Sequence, residues 1–418
     1  MTAKSENLFK NGVFFFFALF LFSSAFSIAL SQSSFALALL LFVTFAVTTR
    51  YNPFPKNVRP FYFTILLYLV WMVVSSLVND VPLNNLREEW LFGIIPVGIF
   101  LFRQKHYRGL LVAALGLGVI LVSVYGIVQH YFGVNWFKDR PLPAARDNTF
   151  YATGSFSNYL TYGNYLATAA LFLISLVILK IKNLKSISNG FVFAAGIVGL
   201  LGTLMSYSRT AIAVLPFGIL AMTWLKGRNW MISSLAMLVI AVGGTFIFVP
   251  QLAYKYEMAF KQDLAGENDF SRLFIWKKSL AMTGDNPVFG VGQGNFEKEY
   301  VNYLELSKNE NRSRPHAHND FLNFAAIAGI PGALIFISIW VVLFYKLQKL
   351  WHNSELYSDK KVFAGAAAIA GLAFMITSLT EATFADEEVR QLLMAIWAAG
   401  LWPLMSDKSA DEIDRPES

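Results

Sequence analysis

Residues 110–128 read LLVAALGLGVILVSVYGIV, nineteen residues in a row without a formal charge. Coiled as a helix at 1.5 Å per residue, such a segment crosses roughly the 30 Å of hydrocarbon in a bilayer. Arg103, Lys105 and Arg108 stand just before it, and a polar stretch follows it. A long apolar run with basic residues gathered at one end is how a membrane helix declares both its span and its direction. Comparable blocks recur at 11–30, 61–78 and 231–249. With 56% hydrophobic and 15% charged residues, the composition lies well away from that of a soluble domain.

Twelve spans are expected, at about 12–31, 33–49, 60–78, 88–102, 109–127, 158–179, 190–206, 209–225, 230–249, 319–344, 362–380 and 389–405. With the N-terminus inside, 19 of the 34 Lys and Arg residues fall in short cytoplasmic segments, while the four short outer turns hold only Arg87, Arg209 and Arg390. That asymmetry obeys the positive-inside rule and sets both termini in the cytoplasm. Lys4 and Lys10 before a long apolar run resemble a secretory signal, but the length of that run and the spans after it favour an uncleaved first helix. The expected organisation is nine transmembrane helices over 1–250, with an outer loop near 129–157. A large outer cap follows over 251–318, then three helices over 319–406, then an acidic cytoplasmic tail over 407–418. The fold class is therefore an all-α integral membrane protein with a helical periplasmic cap.

The absence of cysteine excludes disulfides, thiolate catalysis and cysteine-ligated metals. The net charge of +7 follows mainly from topology, and residues 251–315 hold nine basic and nine acidic residues. That is a mixed-charge surface, so no nucleic-acid partner is expected.

Polar residues beside membrane spans need a reason. Arg209, in Ser206-Tyr207-Ser208-Arg209, stands at a very short outer turn; it either snorkels to the interface or presents its planar fork to a phosphate. Arg272 opens Ser271-Arg272-Leu273-Phe274-Ile275-Trp276, which reads either as an ordinary solvated loop helix or as an amphipathic helix. In the second reading Phe274, Ile275 and Trp276 rest on the bilayer and Arg272 faces a headgroup phosphate. The glycines of Asn286-Pro287-Val288-Phe289-Gly290-Val291-Gly292-Gln293-Gly294 lack the Lys-Ser/Thr of a nucleotide loop.

Arg314-Pro315-His316-Ala317-His318-Asn319-Asp320 marks the re-entry into the membrane. His-X-His can ligate zinc, but no third ligand is obvious, and a neutral imidazole acting as general base fits better. A purely structural pair is the alternative. His318 is the candidate base with His316 as fallback, and Asp320 or Asn319 would orient it. Gly154-Ser155-Phe156-Ser157-Asn158 reads locally as a turn and helix cap. Glu381, Asp386, Glu387 and Glu388 either contact an acceptor or form an exposed turn.

Together these segments resemble the O-antigen ligase family, whose relatives include O-antigen polymerases and protein O-oligosaccharyltransferases. The resemblance runs over most of the chain. It rests on the Arg272 helix with its Trp, the Asn-Pro followed by Gly-Val-Gly, the His318-Asn319-Asp320 re-entry, Gly154 to Asn158 and Ser208-Arg209, in family order. It implies a C-type glycosyltransferase fold and an undecaprenyl-pyrophosphate-linked glycan as donor. It also implies a lipid A-core acceptor, surrounding membrane lipid, and catalysis without metal or other cofactor. By resemblance Arg209 and Arg272 bind pyrophosphate and His318 is the base; His316, Asn319, Asp320 and Arg314 are read from the sequence as supporting residues. The family's Tyr after His-Asn-Asp is Phe321 here. A polymerase would use the same donor with a second lipid-linked glycan as acceptor. A secondary transporter also fits twelve helices, but the cap interrupts the later part and no similarity between halves is visible.

Overall fold

A computed structural model describes residues 3–145, 148–181, 184, 187–248, 261, 271–304, 315–356 and 358–405. Arg314, much of the expected cap and the acidic tail lie outside the described residues, and so does part of the basic inner segments. The chain forms α1 (Ala3–Ser23), α2 (Ile28–Thr49), α3 (Arg59–Val78), α4 (Ile94–Arg103), α5 (Lys105–Phe132), α6 (Tyr159–Ile178), α7 (Asn189–Met205), α8 (Arg209–Lys226) and α9 (Arg228–Phe248). After these come α10 (Arg272–Asp285), the short α11 (Phe296–Tyr300), α12 (Asp320–Asn353), α13 (Asp359–Ser378) and α14 (Glu387–Leu401). Among the described residues, seven helices are long and apolar enough to cross a membrane: α2, α3, α5, α6, α8, α12 and α13. The chain is a multi-pass, helical membrane protein. Two strands of two residues each, Val134–Asn135 and Arg140–Pro141, pair antiparallel in the loop after α5.

The pattern on α3 shows the solvent for which it is built. Phe63, Leu66, Val70 and Leu77 face outward, whereas Thr64, Tyr68, Ser75 and Ser76 are buried. A soluble helix does the reverse; in lipid the apolar face needs no cover and the polar groups must find partners inside. Ser24 with Tyr165 at 2.8 Å and Ser31 with Gln391 at 3.0 Å are such pairs between helices. α6 and α14 are buried nearly all round and form the centre, with α7, α8, α13 and α14 packed on α6.

α12 is interrupted at Gly329, whose φ of 72° and ψ of 179° leave the helical region two residues before Pro331. A break at membrane depth strands backbone carbonyls, and the glycine-rich turn satisfies them. Val291 and Gly292 donate their amides to Ala326 and Ile327, Ile330 donates to Pro287, and Trp71 donates its indole N–H to Ala328. Ser75 donates to the carbonyls of Phe289 and Ile327, at 2.6 and 3.1 Å. Gly290 has to be glycine: a Cβ there would stand 2.4 Å from the Ile327 carbonyl carbon, and its φ is +63°. This docking explains the glycine cluster.

Two expectations are corrected. The span placed at 88–102 is a 3-10 segment, Leu83–Gly93, followed by α4 of only 10 residues. In α10, Ile275 does not rest on a bilayer surface; with Ser279 and Met282 it is buried, and the helix packs on α12.

Loop contacts segregate to the two ends of the bundle. At one end Arg108 pairs with Asp359 at 3.2 Å and lies over the Trp402 ring, and Asn57 bonds the Leu404 carbonyl. At the other end Ser155 donates to the Ala25 carbonyl, Asn85 to the Gln293 carbonyl, and the turn at 379–386 meets Arg272 and His318 through Glu381.

Candidate active site

Two local rules place the arginines. Ser208 caps α8 by accepting from the Ala211 amide, Ser271 caps α10 by accepting from the Phe274 amide, and each is followed by arginine as the first helical residue. A cation is poorly placed at the positive end of a helix dipole, so two Ser-Arg helix starts at one end of the bundle suit an anion drawn by both dipole and guanidinium. Just before the first pair, Tyr207 takes a left-handed φ of 52°. Its ring packs against Tyr151 at 5.8 Å, and Tyr151 against Tyr159 at 4.8 Å.

Glu381 is the hub. It is buried in the turn between α13 and α14; one carboxylate oxygen accepts from Arg272 Nη2, and the other lies 3.0 Å from His318 Nδ1. Because a carboxylate only accepts, Nδ1 carries a ring hydrogen, and in the neutral ring the lone pair is on Nε2. His318 stands at a left-handed φ of 49°, the sparsely populated backbone expected where a side chain is held for a purpose. About a quarter of its side chain, and of Arg272's, remains accessible, against 6% for Glu381. The third charged group, Arg209, joins through Tyr159, at the start of α6, whose hydroxyl lies within Coulombic reach of Glu381, Arg209 and Arg272.

His316 takes a different part. Its ring lies 4.4 Å from that of His318, and its Nδ1 accepts from the His318 backbone amide at 3.3 Å. Burial chiefly, then the neighbouring His318, lowers its pKa to about 4, while Glu381 acts the other way. His316 is therefore neutral at ordinary pH.

Asn319 and Asp320 do not contact the His318 ring as expected; they build the platform under Glu381. Asn319 caps α12 through the Leu322 amide and donates to the Leu379 carbonyl at 2.9 Å. Asp320, 1% exposed, accepts from the Phe384 amide at 3.1 Å and from the Thr383 hydroxyl at 3.3 Å. The sequence offered the Glu381 cluster without deciding its use, because a separation of 63 positions between His318 and Glu381 hides the contact. Further along the same turn, Asp386 accepts from Thr161 at 2.9 Å, and burial raises its pKa to about 7. Glu381 is buried and Asp386, Glu387 and Glu388 are half-buried, so the acidic cluster is not simply an exposed turn, and Arg390, buried in α14, meets Glu88 and Glu89 at 2.9 and 3.3 Å. Among the described residues, no three of His, Asp and Glu are grouped as a metal-ligand set.

A base held by a carboxylate, beside guanidiniums that share that carboxylate or its surroundings, can remove a proton on one side and steady an anion on the other. Residues 194–337 match the family model described as O-Antigen ligase, a stretch that runs from α7 into α12 and contains Arg209, Arg272, His316 and His318. No curated protein matches the chain. Over residues 194–337 the chain is similar to the O-antigen ligase family.

Proposed function

We propose that the protein is an O-antigen ligase: a glycosyltransferase that moves a glycan from undecaprenyl pyrophosphate to lipid A-core at the periplasmic face of the inner membrane. The single observation that carries the reading is the junction of Arg272 and His318 on one buried carboxylate, Glu381, with Arg209 across Tyr159. His318 Nε2 takes the proton of the acceptor hydroxyl. The hydroxyl oxygen attacks the anomeric carbon, the bond from that carbon to the pyrophosphate oxygen breaks, and the configuration inverts. Arg209 and Arg272 stabilise the charge on the departing pyrophosphate and need no metal for it; losing one such donor is worth roughly 10²–10³ in rate. Residues 251–318 serve as the cap in this proposal, and both termini lie in the cytoplasm, with the 3-10 segment and α4 together making the crossing expected at 88–102.

The test is transfer from a synthetic lipid-pyrophosphate glycan to lipid A-core by purified protein with chelator present. His318→Ala is expected to abolish transfer while donor binding persists; wild-type rates from this variant would remove the base. Product on a second lipid-linked glycan, or on a protein, would turn the reading to polymerase or protein O-oligosaccharyltransferase.

A further inference from the structure

Three tyrosine rings stand in a row beside Arg209, and the transfer chemistry above uses none of them as acid, base or charge. Tyr207 is in the turn before α8, Tyr151 in the loop after α5, and Tyr159 opens α6. Tyr151 meets Tyr207 at 5.8 Å with 74° between the rings, and Tyr159 at 4.8 Å with 41°. The row is firmly mounted. The Ala152 amide donates to the Met205 carbonyl at 3.1 Å, and the Phe150 amide to the His130 carbonyl at 2.9 Å. His130 Nδ1 donates in return to the Phe150 carbonyl at 2.8 Å, and its ring lies 5.2 Å from that of Tyr207.

Tyr207 is the costly member. Its φ of 52° is one that L side chains rarely adopt, and such strain persists where the surroundings or the function require it. The turn itself is built by its neighbours: Ser206 and Ser208 are fully buried, and the Ser208 amide donates to Ser206 Oγ at 3.0 Å. Glycine at 207 would make the same turn without the strain. Burial of the ring does not offset it either, since Tyr207 is 36% exposed. Its contacts with Tyr151 and His130 are edge-on and tilted, which covers the ring only in part. A large ring kept in a strained turn and left partly open is there for what it faces.

Tyrosines at the ends of membrane helices often form a belt toward the headgroups. This row instead runs inward, because Tyr159 touches Tyr151 and also lies within Coulombic reach of Arg209, Arg272 and Glu381. A group that lies on the rings therefore has its neighbour at the guanidiniums. A pyranose carries C–H bonds on its faces and hydroxyls around its rim. Tyrosine offers the complement, an apolar, electron-rich face and a hydroxyl at the edge. With only two side-chain torsions to fix, it does so at low entropic cost.

We propose that Tyr207 and Tyr151 form a stacking platform for the first sugar of the donor, the ring bonded directly to the pyrophosphate, and that Tyr207 determines which sugars are accepted there. The proposal deepens the transferase reading and rests on it. Once the pyrophosphate is on Arg209, two positions along the chain from Tyr207, a stacked sugar can no longer turn about its bond to phosphate. Its anomeric carbon is then held at a fixed angle to the attacking hydroxyl, which is the gain expected from orientation.

The experiment uses the full chain in phosphatidylcholine nanodiscs. Its probes are a polyprenyl pyrophosphate bearing one N-acetylhexosamine and the bare polyprenyl pyrophosphate, with binding read by native mass spectrometry. Wild type should bind the sugar-bearing lipid about tenfold more tightly, the order expected for one covered aromatic face. Tyr207→Leu should bring that preference below about twofold while the bare lipid binds as before, and Tyr207→Phe, which keeps the ring, should restore it. Tyr151→Leu, in ordinary loop backbone, should lose part of it. In transfer assays Tyr207→Leu should raise donor KM more than it lowers kcat. Equal binding of the two lipids by wild type, or an undiminished preference in Tyr207→Leu, overturns the platform. Loss of bare-lipid binding in both leucine variants overturns it too, since the rings would then only hold the fold. A tyrosine-dependent preference without transfer to any acceptor refutes the transferase reading and leaves the sugar contact standing.

Discussion

At the scale of single residues, the site turns on how one carboxylate is shared. Glu381→Gln keeps the size and one acceptor but loses the charge that fixes the His318 tautomer and holds Arg272. A loss of about 10²-fold or more in kcat is expected, the usual worth of a positioned base, with a smaller change in donor KM. A rate within threefold of wild type would reduce Glu381 to a packing residue. His316 makes the contrasting case. Its pKa of about 4 lies below the ordinary 6.5, so the unfolded chain binds the proton first. The stability it lends is whole above pH 6.5 and is lost as pH falls towards 4. Thermal melts in detergent should show His316→Asn losing less Tm than wild type over that window, with transfer at neutral pH nearly intact. The imidazole pair and the two arginines were legible in sequence as scarce residue types at membrane boundaries. The role of Glu381 was not, because a carboxylate in an acidic run carries no mark of the partner it will find after folding.

At the scale of elements, the broken α12 and the glycine turn stand or fall together. Ser75→Ala removes the donor to two carbonyls beside the break and should cost about 1–3 kcal/mol, read as a lower Tm in detergent. Gly329→Ala should be worse. Its φ of 72° is unfavourable for any L side chain, and a Cβ would lie 2.1 Å from the Val288 carbonyl oxygen. If Gly329→Ala melts like wild type, the break does not depend on this contact. One helix start was readable: Gly154 to Asn158 reads as a turn and cap, and Asn158 caps α6 through the Leu160 amide; Ser188, Ser208, Ser271 and Asn319 cap helices by the same chemistry. The weak span at 88–102 was misread because its average hydropathy is helical in length, while Pro82, Asn84 and Asn85 favour a tight 3-10 entry.

For the whole molecule, the lack of cysteine makes topology directly testable. Asn148→Cys and Asn353→Cys, both at exposed positions, give single thiols at opposite ends of the bundle. A membrane-impermeant maleimide on intact spheroplasts should label Cys introduced at 148 and reach 353 only after permeabilisation; the reverse pattern would invert the proposed orientation. By itself the sequence determined the solvent and the scarce polar residues, and it carries the proposed direction of insertion. Span length and the placement of lysine and arginine are local properties, acted on by the bilayer one segment at a time. Which of those residues meet was decided by tertiary structure alone. The pairing of Arg272, His318 and Glu381, the docking of the glycine turn on α12 and the tyrosine row beside Arg209 each join segments scores or hundreds of residues apart. Contacts of that range are set by helix packing, which satisfies buried polar groups wherever the folded bundle brings a partner.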